Sequence, residues 1–375
     1  MFLLAAILAQ PLRGEPFAET TGPVSTGNID ENLPYAAVTP ENRLGECTGT
    51  CCPTCVAGNT SKGCGYFFAD ALFWTVREGY DENWAQIITP KSDQGSYVGT
   101  ATLVDAPFDW RTGFRVGAGL RPDDGFDATL YYTNFSTSAA SQASGEVYSS
   151  FMGNFYVGNT DGSDFGPHYR YGSIQWDFDY HSIDLEIGRN YVIDANLELH
   201  PFLGLKAAII NQSLNSSWRD PINTTVNNVT HTYNFTSATE DLDLHFWGIG
   251  PSLGATITMP LCTRPRYTLK LFGTPSGAIM LGHWTCKEQY DNNGVGLSHT
   301  SVAIDMSPIT GAATMLRGVV GFEWEQYFCR TTSTVRLGYE SQIWLNQMQL
   351  YSYNMGRMNN LTSLQGGFLE LCISY

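Results

Sequence analysis

Five of the nine cysteines crowd between Cys47 and Cys64, as CTGTCCPTC (Cys47, Cys51, Cys52, Cys55) followed by Cys64. Two chemistries suit such a cluster. In an exported chain it reads as a disulfide framework, and the odd total leaves at least one thiol free or paired between chains. The competitor is a zinc knot on Cys52-Pro-Thr-Cys55. Zinc sites draw on two spaced pairs or on histidine, and the nearest histidine, His168, is over a hundred residues away. Disulfide formation or cross-linking is therefore expected for Cys47, Cys51, Cys52, Cys55 and Cys64, together with Cys262, Cys329 and Cys372. No metal and no organic cofactor is expected.

Charged side chains are the second chemical resource. Arg111, Arg115, Glu198, Lys206, Lys270, Arg317, Glu323, Arg336 and Glu340 recur inside segments that alternate in polarity, with Glu186, His200, Glu325 and Glu370 in the same pattern. Set around a water-filled path, such residues choose ions; facing each other across a narrow one, they close it with salt bridges. A third group lies at the ends of these segments: Asp81, Glu82, His168, Asp177, Asp179, His181, Asp241, Asp243, His245, His283 and His299. Acid–base chemistry there would need a base within hydrogen-bond reach of its partner. No GxSxG or HExxH motif accompanies them, and the fragment GFRVGAG sits within an alternating stretch rather than before a helix. No catalytic residue is assigned, and the chain is not expected to be an enzyme.

The elements that position these residues have a period of two. Val335, Leu337, Tyr339, Ile343 and Leu345 alternate with Arg336, Gly338, Glu340 and Gln342; Phe114, Val116, Ala118 and Leu120 alternate with Gly113, Arg115, Gly117 and Gly119. That spacing sends one set to each face of a sheet. Ten strands are predicted, at 66–77, 109–121, 125–135, 173–191, 196–213, 241–259, 266–284, 315–328, 333–346 and 365–375. Their connections alternate without exception. Residues 78–108, 136–172, 214–240, 285–314 and 347–364 are long, while 122–124, 192–195, 260–265 and 329–332 are short and carry turn residues.

A soluble sandwich has no reason to put every long loop at one end, whereas a transmembrane β-barrel has short periplasmic turns and long external loops. Composition agrees. Charged residues are only 15% and aromatics 13%, with 38 glycines, and 20 Lys+Arg against 36 Asp+Glu give a formal charge of −16. An acidic chain is a poor nucleic-acid binder, and 43% hydrophobic residues argue against disorder. In hydrocarbon every backbone polar group must be paired internally, so the strands must close. The phase of alternation slips near His181–Ser182 and Trp247–Gly248, which predicts a bulge in each strand. Tyr66, Trp74, Trp110, Trp176, Trp324, Trp344 and Tyr375 are expected in the aromatic girdles.

Two stretches are similar to a known family. GYFFADALFWTVREG (Gly65 to Gly79) resembles the first strand of the Legionella-type major outer membrane proteins, a family that also occurs among environmental chlamydiae and planctomycetes. FDWRTGFRVGAGLRPDDGFDATLYYTNF (Phe108 to Phe135) resembles its second and third strands, and the tract from Trp176 through Pro201 and Gly204 also fits. The resemblance covers most of 65–375 and implies a pore-forming outer-membrane barrel.

The expectation is thus an all-β, antiparallel transmembrane barrel of about ten strands at 65–375. It is preceded by a truncated signal peptide at 1–9 and an extended Cys-rich segment at 10–64. Its expected setting is the bacterial outer membrane, reached through the periplasm, and its partners are outer-membrane lipid and disulfide-linked copies or envelope proteins, with homo-oligomers left open and nucleic acid excluded. Its function is expected to be porin-like passive diffusion of small solutes or ions, through a bore kept small or gated by the low strand number. The alternatives are an adhesin or structural barrel without an open pore, built on loops 136–172, 214–240 and 285–314, and an outer-membrane hydrolase.

Overall fold

The computed structural model describes residues 64–79, 83–93, 96–122, 125–150, 168–194, 196–226, 229–296, 299–328, 331–352 and 356–375. The leader expected at 1–9, the 10–64 segment apart from Cys64, and Asp81, Glu82 and Cys329 lie outside them. Ten long strands form the body: β1 (Cys64–Glu78), β2 (Arg111–Arg121), β3 (Phe126–Ser149), β4 (Tyr169–Arg189), β5 (Leu197–Pro221), β6 (Ser237–Arg264), β7 (Tyr267–Asn292), β8 (Ile309–Tyr327), β9 (Thr332–Ser352) and β10 (Gly356–Ser374). Each pairs antiparallel with the next, and β10 pairs with β1 from Tyr66↔Ser374 to Glu78↔Thr362, so the sheet closes on itself. An up-and-down ring of this kind leaves no unpaired edge.

All ten expected strands are present, and on the long-loop side they run further than the alternation indicated. β3 continues to Ser149, and β4 begins at Tyr169 rather than 173. β5 reaches Pro221. The extra length comes from the connections, which become walls standing above the membrane. The connection between β1 and β2 carries its own hairpin, Asn83–Asp93 with Ser96–Asp105, which pairs to β3 through Ala85↔Ser149.

The two expected bulges are absent. β4 pairs with β5 in one unbroken register from Tyr171↔Arg219 to Gly188↔Phe202, and β6 with β5 from Ser237↔Arg219 to Thr258↔Glu198. What changes at those points is the surroundings. On β4 the outward residues pass from Asp177, Asp179 and His181 to Ile183, Leu185 and Ile187, while the inward ones pass from Trp176, Phe178 and Tyr180 to Ser182, Asp184 and Glu186. β6 does the same, from outward Asp241, Asp243 and His245 to Trp247 and Ile249, and from inward Leu242, Leu244 and Phe246 to Gly248, Gly250 and Ser252. Above this level water surrounds the wall and the ordinary rule of apolar inside holds. Below it the lipid takes the apolar face and the bore takes the polar one. The outward run Leu199, Leu203, Leu205 and Ile209 on β5 gives a length that matches the about 9–11 residues a strand needs to cross hydrocarbon.

The girdle expectation divides. Trp110, Trp324 and Tyr375 face outward and are about half exposed; Trp110 and Tyr375 stack on Phe73 and Phe67, and Trp324 packs at a tilt against Tyr267. Trp74, Trp176 and Trp344 instead point into the barrel and are fully buried. Tyr66 also turns inward, bonding Thr129, and its ring lies over Gly119, where a Cβ would clash with it. The alternating glycines of β2 thus make room for rings from β1.

Candidate functional site: the barrel bore

The inward face of the lower barrel is polar because every second residue of each strand is turned away from lipid. These side chains form two layers of charge. In the layer at mid-membrane, Arg115 of β2 donates to Asp70 of β1 at 2.9 Å and to both oxygens of Glu340 of β9 at 3.0 and 2.9 Å. Its Nε donates to Thr133 Oγ1 at 3.1 Å. Arg317 of β8 grips the same Glu340 at 2.7 and 3.1 Å, and Gln342 donates to it at 2.8 Å. Two guanidinium forks thus share one carboxylate, a geometry that Arg supplies and Lys cannot. On another part of the wall, Lys206 of β5 donates to both oxygens of Asp184 at 2.9 and 3.0 Å, Ser182 donates to Asp184 at 3.0 Å, and Tyr131 donates to Glu186 at 2.6 Å.

The second layer lies nearer the short turns. Lys270 of β7 sits 3.0 Å from Glu325, 3.4 Å from Glu323 and 3.8 Å from Glu198. Arg336 of β9 bridges Glu323 at 2.6 Å and Glu370 at 3.2 Å, its guanidinium over the Phe272 ring. Asp127 meets His200 at 2.9 Å and Arg121 at 3.7 Å.

Above the mid-membrane charges the bore fills with rings. Trp74 packs on Phe135, Tyr180 on Trp344, and Phe246 on both Trp344 and Trp284. The connection between β1 and β2 adds Phe108, which lies against Trp176 and Phe178, and Trp84, which lies against Trp218. Trp74, Trp176, Trp218 and Trp344 have no accessible surface, nor has Glu340. Water does not reach these rings or this carboxylate, which are packed among their neighbours on the bore side.

The nine charges named from the sequence fall in three places. Arg115, Lys206, Arg317 and Glu340 belong to the mid-membrane layer, and Lys270, Glu198, Glu323 and Arg336 to the lower one. Arg111 stands apart from both. It stands at the first position of β2, about half exposed, and pairs with Asp109 at 3.1 Å, away from the bore charges. Sequence reasoning missed Asp70 and Asp184, the counter-charges of Arg115 and Lys206. Their signal was an acidic residue on the inward parity of a strand otherwise rich in rings, at Asp70 between Phe68 and Leu72 and at Asp184 below Tyr180.

Of the candidate cysteines, Cys262 and Cys372 are free thiols. They lie on β6 and β10, strands that are not neighbours, so the barrel does not link them to each other. The rim histidines are dispersed. His181 Nδ1 meets Tyr132 Oη at 2.8 Å and Asn134 at 3.0 Å, His283 meets Thr310 at 3.1 Å, and His245 meets Asn211. Among the described residues no cluster of three or more His, Cys, Asp or Glu side chains could hold a metal ion.

A family model described as the Legionella pneumophila major outer membrane protein precursor matches residues 66–374. No curated protein matches the sequence. Among solved structures, the chain is similar to the outer membrane protease OmpT from Escherichia coli, at 10% identity and a TM-score of 0.40 over 84% of this chain and 97% of that one. It is also similar to a Pseudomonas aeruginosa FadL homologue (8%, TM-score 0.23, 84% and 90%) and to the outer membrane protein AlkL (11%, TM-score 0.21, 69% and 93%).

Proposed function

This chain belongs to the Legionella major outer membrane protein family, and from that premise we propose that it is a porin-like outer-membrane channel of small, gated conductance. The observation that carries the reading is the charged layer at mid-membrane. A barrel needed only as an anchor gains nothing from buried ion pairs, because well-packed apolar side chains are as stable or better. Here Asp70, Arg115, Asp184, Glu186, Lys206, Arg317 and Glu340 occupy the bore at membrane depth, a polar path held shut by its own pairings. Parting the Arg115–Glu340–Arg317 bridge and the rings above it would open that path. Four carboxylates stand against three cations in this layer, so the open state prefers cations.

The near-complete burial of the aromatic layer favours a second reading, a permanently filled structural barrel. Recording from purified protein in a planar bilayer separates the two: brief small current steps support the channel, and lasting silence supports the filled barrel. We assign no hydrolysis: the rim histidines are spread over separate partners, with His181, His245 and His283 bonded to amides and hydroxyls, His168 3.5 Å from Glu146 and His299 3.9 Å from Asp291. We retain cross-linking between copies or to envelope proteins as the role of the cysteines at the short-turn end, where Cys262 and Cys372 offer thiols. Thiol-sensitive multimers on non-reducing electrophoresis of native membranes are the expected result, and a thiol-insensitive monomer is the contrary one.

A further inference from the structure

The bore charges each have an ion-pair or hydrogen-bond partner, but one acidic pair outside the membrane does not. Glu240 of β6 and Glu288 of β7 both face inward, above the polarity change at Trp247 and His283. In the ladder Glu240 lies opposite Tyr290 and Leu242 opposite Glu288, so the two carboxyl groups are diagonal neighbours on one face, within reach of long side chains. Glu240 is 0% and Glu288 4% exposed, and among the described residues no other donates a hydrogen bond to any of their four oxygens. Among the described residues the groups around them offer no positive charge. Tyr169 from β4 and Tyr290 from β7 stand beside Glu240, and Ser216 from β5 donates to its backbone carbonyl at 3.4 Å. Asp241 and Lys287, next in the chain to each carboxyl, face outward, with Lys287 in register with Asp243.

Two ionised carboxylates in this position would each lose their hydration without a counter-charge and would repel one another. We propose that Glu240 and Glu288 share a proton as an acid–carboxylate pair that locks the outer ends of β6 and β7 together, holding this part of the outer wall closed in acid and loosening it as pH rises. Burial holds both carboxyls above the ordinary carboxylate range, and for Glu240 its neighbour Glu288 adds to the effect. The closed wall therefore binds more protons than the loosened one between that ordinary range and the raised value. Closure is complete at the acid end of this window and is lost as pH climbs through it. The pair titrates as a unit, so its apparent values belong to both residues together.

Hydrogen exchange on the full folded chain in detergent tests this without depending on whether the barrel conducts. Peptides covering 237–246 and 284–292 are followed at pH 5 and pH 8, with rates scaled for the intrinsic effect of pH. The wild type should open at least about tenfold more at pH 8, the change that one proton held over one pH unit supplies. The Glu240→Gln/Glu288→Gln variant should be protected equally at both, and Asp241→Asn should keep the wild-type slope. A flat wild-type profile, or a slope surviving in the double Gln variant, overturns the proposal. So does protection of the wild type at pH 8 by millimolar calcium that the double variant lacks, since the pair would then be a cation site.

Discussion

Glu340→Ala removes the acceptor on which the mid-membrane layer converges. Glu340 accepts two hydrogen bonds from Arg115, two from Arg317 and one from Gln342, and it has no accessible surface. After truncation Arg115 keeps Asp70 and Thr133, whereas Arg317 loses both ends of its fork. Breaking a buried ion pair from one side costs about 3–5 kcal/mol, because the remaining charge is left uncompensated. That corresponds to roughly two to three and a half decades in the unfolding constant. The variant barrel should unfold at correspondingly lower denaturant, read from the electrophoretic shift between folded and unfolded forms. It should also admit water around Arg317 and pass current more often. Removing the orphaned charge as well, in Glu340→Gln/Arg317→Met, should recover most of the stability. A loss below about 1 kcal/mol, the range of exposed pairs, would show that these charges are already hydrated and would refute a closed bore.

Other perturbations test separate parts of the account. Trp176→Ala should cost about 3–5 kcal/mol, as for other large buried rings, and raise the open probability in planar-bilayer recordings. Ile187→Arg, on the lipid face, should cost about 2–4 kcal/mol of barrel stability, while Asp177→Arg above the boundary should stay within about 0.5 kcal/mol; equal costs in a denaturant titration would contradict the polarity change on β4. Arg111→Glu should leave the reversal potential in a salt gradient unchanged, and Arg115→Glu should shift it toward cations. His168, buried against Tyr148 and 3.5 Å from Glu146, is held below the ordinary histidine range by burial, partly offset by Glu146. The unfolded chain therefore takes up its proton first, and stability should fall as pH drops from about 6.5 toward the lowered value; His168→Gln should flatten that part of a stability-against-pH curve.

The strand count and the up-and-down order were legible because alternation and loop length report backbone pairing, which does not depend on the solvent outside. Which face points inward was legible only in the lower half. At His181–Ser182 and Trp247–Gly248 the hydrophobic residues change parity while the ladder does not. A pattern based on period alone reads that as a bulge, because it assumes one apolar side along the whole strand. The same assumption sent Trp74, Trp176 and Trp344 to the girdles: a ring near a strand end marks either the lipid interface or a filled bore above it. The positions of Arg115, Lys206, Arg317 and Glu340 were legible because Arg, Lys and Glu on the inward parity have nowhere else to be at membrane depth, whereas their roles were not. Arg111 failed because β2 begins there and the side chain escapes at the strand end. The convergence of Arg115 and Arg317 on Glu340 joins residues 225 positions apart in the chain, a proximity set by barrel closure and absent from any local pattern.

Current through single purified barrels in a planar bilayer bears most directly on a bore sealed by its own rings and ion pairs. The wild type should rest closed, with brief, small, cation-preferring steps that become frequent in Glu340→Ala. A large, steady conductance from the moment of insertion would contradict it.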